Sequence, residues 1–207
     1  MVMLPLRAVN SAAQRFTETL QTVYRKEHFR MLGKQKSSQY LKTCMADALL
    51  ELMQTTPIHK ITAQQIADRA GVGRATWFRA FSSKQEALVF KILSSWYSWC
   101  EQRNVKYPVK ADTTEVLEFF RFSYSMRDTF TLLLHSDLQQ VVLEAFFKII
   151  NEISVLHEGD PSTAYSASFY SFGMLGLMYT WISRDFRDTP EQLLELVRSI
   201  MAKGDLQ

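Results

Sequence analysis

The stretch Ile61–Phe81, ITAQQIADRAGVGRATWFRAF, constrains the fold more than any other part of the chain, because it carries its own start, stop and restart signals. Thr62 followed three residues later by Gln65 is a reciprocal capping pair that opens a helix. Gly71 closes it, since glycine reaches the left-handed conformation at little cost. A second short helix is predicted to begin near Arg74. Trp77 and Phe81, four apart, are expected to face inward with Ile66, Ala67 and Ala70, and Val72 in the turn to reach into the same core. The small alanines permit the close crossing that a helix-turn-helix requires. Arg74, Ala75, Phe78 and Arg79 are left pointing outward. Two guanidiniums on that face suit base edges and phosphates in a DNA major groove. The plainer alternative is a helical hairpin with solvated arginines.

The rest of the chain is punctuated as helices. Residues Ser38–Gln54 put Leu41, Met45, Ala48, Leu49 and Leu52 on one stripe, a third wall for the helix-turn-helix, and Thr55, Thr56 and Pro57 end it. Ser83 with Glu86 makes a second capping box, opening a helix expected to run to about Asn104. Asp112 with Glu115, Asp137 with Gln140, Asp160 before Pro161, and Thr189 with Pro190 and Gln192 mark four later starts. Glycine and proline are scarce, 7 and 5 residues, which favours long helices over an all-β chain. No segment alternates with a two-residue period. The expected fold is all-α: a three-helix N-terminal helix-turn-helix domain, a long connecting helix, and a larger helical body.

Charge divides along the same line. Residues 1–92 hold 14 Lys/Arg and 6 Asp/Glu, a net of +8, while residues 93–207 hold 10 and 15, a net of −5; the two sum to the overall +3. A basic head on a mildly acidic body fits a DNA reader joined to a sensor. The N-terminus lacks a sustained apolar core and cleavage site, and no run of 18 apolar residues occurs, so a cytoplasmic protein without a membrane span is expected. Cys44 and Cys100 have no ligand-like spacing and are read as idle thiols.

The segment from about Ser38 to Leu93 resembles the DNA-binding domain of TetR-family transcriptional regulators. The resemblance rests on I-T-x-x-x-I-A-x-x-A-G-V at Ile61–Val72, R-x-T-x-F-R-x-F at Arg74–Phe81, and Lys84 three residues on, opening a long helix. It implies that Thr62, Gly73, Arg74, Ala75, Thr76, Phe78, Arg79 and Lys84 bind double-stranded DNA. Arg74 and Arg79 would read or grip the groove, while Thr62, Thr76 and Lys84 position the backbone. Family members commonly have serine at Gly73, tyrosine at Phe78 and an aromatic or histidine at Ala80, so phosphate contacts at the last two positions are lost here. The expected boundaries are a basic leader, 1–37, a DNA-binding domain, 38–92, and a regulatory and dimerisation domain, 93–207.

The body carries 18 of the chain's 26 aromatic residues. Packing is the default reading of such rings, but a bundle of this size exceeds what DNA binding needs, and clefts between helices suit small ligands. Trp96, Trp99, Phe120, Tyr124, Phe147 and Tyr170 are therefore candidates for contact with an unknown small-molecule effector. His135 and His157, with Asp137, Glu158 and Asp160 nearby in sequence, lack metal-ligand spacing and are read as solvated helix ends; no metal or cofactor is expected. Near the C-terminus, SFYSFGMLGLMYTWISRDF is apolar around most of its circumference, and Gly173 and Gly176 cost helix stability unless another helix approaches closely. In TetR-like proteins the last two helices pair with their symmetry mates. Gly173, Gly176, Trp181, Leu193 and Val197 are accordingly expected at a homodimer interface.

No nucleophile elbow, P-loop, dinucleotide fingerprint, H-E-x-x-H or Cys/His catalytic spacing occurs, so no enzymatic activity is expected. The reading is a homodimeric, ligand-responsive repressor on a palindromic operator. Two alternatives stand beside it: an activator using the same parts, or a TetR-like ligand-binding or interaction protein that no longer reads DNA. Residues 1–37 carry seven Lys/Arg against Glu18 and Glu27, a net of +5. They fit a basic DNA-contacting arm, a docked helix, or a stretch preceding a true start at Met31.

Overall fold

A computed structural model of the chain describes residues 38–105, 113–154 and 161–204. The leader, 1–37, lies outside the described residues. Residues 38–53 form α1. A 3-10 turn, Ile58–Lys60, leads to α2 (Ala63–Arg69), α3 (Arg74–Ala80) and α4 (Lys84–Gln102). The body then adds α5 (Thr113–Ser125), α6 (Arg127–His135), α7 (Gln139–Ser154), α8 (Pro161–Ser183) and α9 (Pro190–Gly204). No strand occurs among the described residues.

Four of these helices stop by one device. After each, a residue takes positive φ: Gly71 (67°), Asn104 (52°), Asp137 (58°) and Asp185 (55°). The next residue then donates its N–H back into the last turn: Val72 to Ala67 at 2.9 Å, Val105 to Cys100 at 2.9 Å, Leu138 to Leu133 at 2.9 Å and Phe186 to Trp181 at 3.0 Å. That bond satisfies a carbonyl the helix end would orphan, and an apolar side chain follows it inward. Glycine, Asn and Asp are the residues that tolerate the left-handed turn. Phe186 itself has φ 52°, an uncommon conformation for a bulky residue. Its ring is locked 4.8 Å from Trp181 and 6.2 Å from Tyr124, which holds the strain.

Asp137 thus ends α6, where its sequence context with Gln140 predicted the start of a helix. The following helix begins at Gln139 instead. The other starts fall as expected: α5 at Thr113, α8 at Pro161 and α9 at Pro190, with Asp112 and Asp160 outside the described residues. Thr189 and Gln192 exchange the reciprocal cap at 2.8 and 3.2 Å. Met126 separates α5 from α6, a break that no glycine or proline announces.

The body core is built from rings. Trp96 on α4 is fully buried between Phe119 at 5.6 Å and Phe122 at 5.1 Å on α5, and Phe146 on α7 meets Phe119 at 5.3 Å and Phe130 at 5.1 Å. Trp181 on α8 packs against Phe120 at 6.0 Å, and its indole N–H donates to the Asp188 carbonyl at 3.0 Å. Each such pair adds about 0.5–1.5 kcal/mol beyond area burial.

Candidate nucleic-acid interface

The head forms around a few buried side chains. Ile66 and Ala67 of α2 are fully buried, Trp77 of α3 is 4% exposed, and Met45 and Leu49 of α1 close the third side. Trp77 and Phe81 lie 5.3 Å apart, and Phe81 continues to Phe90 of α4 at 5.5 Å. Val72 is partly buried against this core, as the turn required. The Thr62 cap is complete: its hydroxyl accepts from the Gln65 N–H at 3.2 Å, and the Gln65 side chain accepts from the Thr62 N–H at 2.8 Å.

With Trp77 inward, α3 presents Arg74, Ala75, Phe78 and Arg79 to solvent. The Arg74 guanidinium stands over the Phe78 ring at 5.3 Å, and Phe78 is 59% exposed. That stack orients a cation at the start of α3 while leaving its N–H groups available. Arg79 donates weakly to the Thr76 hydroxyl at 3.4 Å. Neither arginine has an acidic partner among the described residues, in contrast to Arg69, which pairs with Glu51 at 2.6 Å. Gly73 caps α3 without a side-chain bond, and a Cβ there would meet nothing within 4 Å. Serine or glycine would therefore fit equally.

Lys84 has a structural role that the sequence did not announce. Its ammonium donates to the carbonyls of Ile58 at 2.5 Å and Ile61 at 2.9 Å, in a partly buried setting. Two of its three N–H groups thus seal the end of the 3-10 turn. Lys84→Met is thus expected to cost about 1.5–3 kcal/mol of stability, the range for hydrogen bonds to charged groups, measurable by urea denaturation. The salt dependence of DNA binding should stay as in wild type. A slope reduced by about one, with stability intact, would return Lys84 to the phosphate backbone.

The second capping pair is also rearranged. Ser83 accepts from the Glu86 N–H at 3.0 Å, but the Glu86 carboxylate reaches Ser82 instead, accepting from its hydroxyl at 2.6 Å and its N–H at 2.7 Å. The Ser82 hydroxyl, then its N–H, hold the Glu86 carboxyl below its ordinary pKa.

The expected effector residues do not surround one cavity. Trp96 and Phe120 are sealed in the core, Tyr124 stacks on Trp181 at 6.1 Å, and Phe147 lies on the outside, 5.9 Å from Phe172. Trp99 alone among them lines a described cleft, and the Tyr170 side chain lies outside the described residues. Among the described residues no group of three or more His, Cys, Asp or Glu could hold a metal; His157, Glu158 and Asp160 lie outside them.

The expected interface residues separate into two sets. Gly173 and Gly176 are exposed on α8, on one stripe with Phe169, Phe172 and Tyr179, while α9 exposes Leu196 and Ile200. Trp181 and Leu193, 1% and 3% exposed, belong to the core of the chain itself, and Val197 is half-buried. An apolar helix face does not reveal from sequence whether its cover comes from the same chain or from another. Phe169, Phe172, Tyr179, Leu196 and Ile200 are the surface residues that reading passed over.

A helix-turn-helix head with an exposed basic face, carried on an aromatic helical body, defines a DNA-binding regulator. Residues 46–89 match the family model of bacterial regulatory proteins of the tetR family, and residues 114–203 match a transcriptional regulator C-terminal region of the same family. The chain belongs to the TetR family of transcriptional regulators. Such regulators bind DNA, typically dimerise, and are generally not enzymes. A solved structure described as "Dihydroxyacetone kinase operon activator DhaS" is similar in fold, with a TM-score of 0.53 over 79% of this chain and 95% of that one, at 15% identity. No curated protein matches the sequence. No helix among the described residues is long and apolar enough to cross a membrane.

Proposed function

We propose that this regulator is a cytoplasmic homodimer that reads a palindromic operator with α3 and releases it when an effector binds the body. Residues 38–92 act as the head and 93–207 as the sensing and pairing body. The observation that carries the reading is the pair of arginines, Arg74 and Arg79, exposed on α3 without acidic partners among the described residues while Trp77 pins the opposite face. Pairing uses the exposed stripe of α8 and its neighbour on α9, where two glycines leave room for a second backbone. Two heads held at a fixed distance match two half-sites on one face of the duplex. An effector that favours another spacing weakens operator binding by its differential affinity for the two states. Activation uses the same parts with the opposite preference, the sign carried in the name of that structural neighbour.

Mobility shift with the DNA flanking the coding region tests the reading. Arg74→Ala and Arg79→Ala are each expected to cost about 1–3 kcal/mol of operator binding and to relax base preference at one position. Two variants that bind as tightly as wild type would mean that α3 does not face the groove this way.

A further inference from the structure

A cleft of about 380 Å³ opens between α1, α4 and α5. Its chemistry differs from that of the ring-packed core. One wall is a polar row on α4, Ser94, Ser95, Ser98 and Gln102, with Trp99 beside it; the α5 side adds Phe122 and Met126 as apolar surface and Ser125 as a further hydroxyl. The polar groups present both donors and acceptors. The half-buried Ser95 hydroxyl has no partner among the described residues. The Ser98 hydroxyl accepts from the Gln102 amide at 2.9 Å and keeps its own proton, while Ser94 donates to the Lys91 carbonyl at 3.1 Å and keeps its acceptor sites. Among the described residues the one cation lining the cleft, Lys91, is neutralised by Asp47 at 2.6 Å. Such a wall does not select a carboxylate or phosphate. It matches groups that donate and accept at once, with a carbon skeleton laid against the apolar part of the lining, Phe122 and Met126.

We propose that this cleft binds a small, neutral, hydroxyl-rich molecule, a polyol or monosaccharide, and that Trp99 reports its occupancy to the dimer helices. Trp99 donates its indole N–H to Glu118 at 3.1 Å and lies under the Arg103 guanidinium at 4.0 Å. Glu118 in turn accepts from Arg121 at 2.9 Å, and Arg121 reaches Glu191 of α9 at 2.9 Å. A ligand that moves the indole therefore disturbs a polar chain running from α4 through α5 to α9. Glu118 is a positioning residue in this scheme. The regulatory half rests on the DNA-binding reading; the site itself does not.

The test is ligand-observed saturation-transfer NMR on the full chain with glycerol, D-glucose and myo-inositol, beside glycerol 3-phosphate and glucose 6-phosphate. Transfer to a neutral probe is expected, with affinity lowered about tenfold by Ser95→Leu, which fills the cleft. Gln102→Leu, at an exposed position, should do the same and stands in if Ser95→Leu does not fold. Absence of any neutral binder, transfer to the phosphorylated probes alone, or unchanged binding in both variants overturns the site. The bound probe should shift operator affinity in wild type and not in Glu118→Gln, although Glu118→Gln still binds the probe. An equal shift in both overturns the relay. A chain that binds the probe but no DNA fragment leaves the site standing and removes the operator reading.

Discussion

Gly176→Glu is expected to yield a folded monomer that binds operator DNA about a hundredfold or more weakly, since the second half-site no longer adds its effective concentration. Gly176 is exposed and a Cβ there meets nothing within 4 Å, so the chain itself offers no clash at the point of attachment. Removing a glycine from a helix interior favours the helix by up to about 1 kcal/mol. Loss of DNA binding therefore cannot be ascribed to a damaged fold. Light scattering, thermal melting and mobility shift together make the test. A variant that stays dimeric and binds normally would place the pairing surface elsewhere. Leu193→Glu serves as the contrast: with 3% exposure, it should fail by unfolding rather than by dissociation.

Trp77→Ala carries the second large effect. Truncating a buried tryptophan costs about 3–5 kcal/mol, a large part of the ~5–15 kcal/mol that holds a domain together. Trp77 contacts Phe81 on one side of the head, and Phe81 continues the core into Phe90 of α4. Denaturation should show an early transition, and operator binding should vanish with it. Phe78→Ala, one residue along and 59% exposed, is expected to leave stability within about 0.5 kcal/mol. Equal, small losses for both would show that α3 is not anchored through Trp77.

What the sequence disclosed follows from the range of each interaction. Caps are local, so Thr62, Gly71 and Thr189 are legible from residues within one turn of them. Asp137 misleads because an aspartate suits both a helix start and a left-handed stop; the choice is made by Leu138, which turns its N–H back to Leu133. Lys84 could not be read locally, since its acceptors lie 26 and 23 residues earlier. Glu86 shows the smallest failure, a cap displaced by one serine. The outward face of α3 was legible because Trp77 and Phe81 leave no other orientation. The cleft was not, because serines on α4 become a wall only when α5 arrives opposite them.

The Lys84 clamp has a mechanical consequence. It fastens the first residue of α4 to the turn before α2, and Asp47 fastens Lys91 to α1 at 2.6 Å, so the head and the first two turns of α4 travel as one piece. In the proposed scheme the whole 19-residue α4 then acts as a lever whose pivot lies at its far end, where Trp99 and Arg103 meet Glu118. At 1.5 Å per residue that arm is about 28 Å long, and a tilt of about 10° swings its tip by roughly 5 Å. In a two-fold pair the tips move oppositely, changing their separation by about 10 Å, or roughly three base-pair steps at ~3.4 Å each. In the proposed dimer, a displacement of a few degrees at the indole end would be enough to put two reading helices out of phase with the duplex.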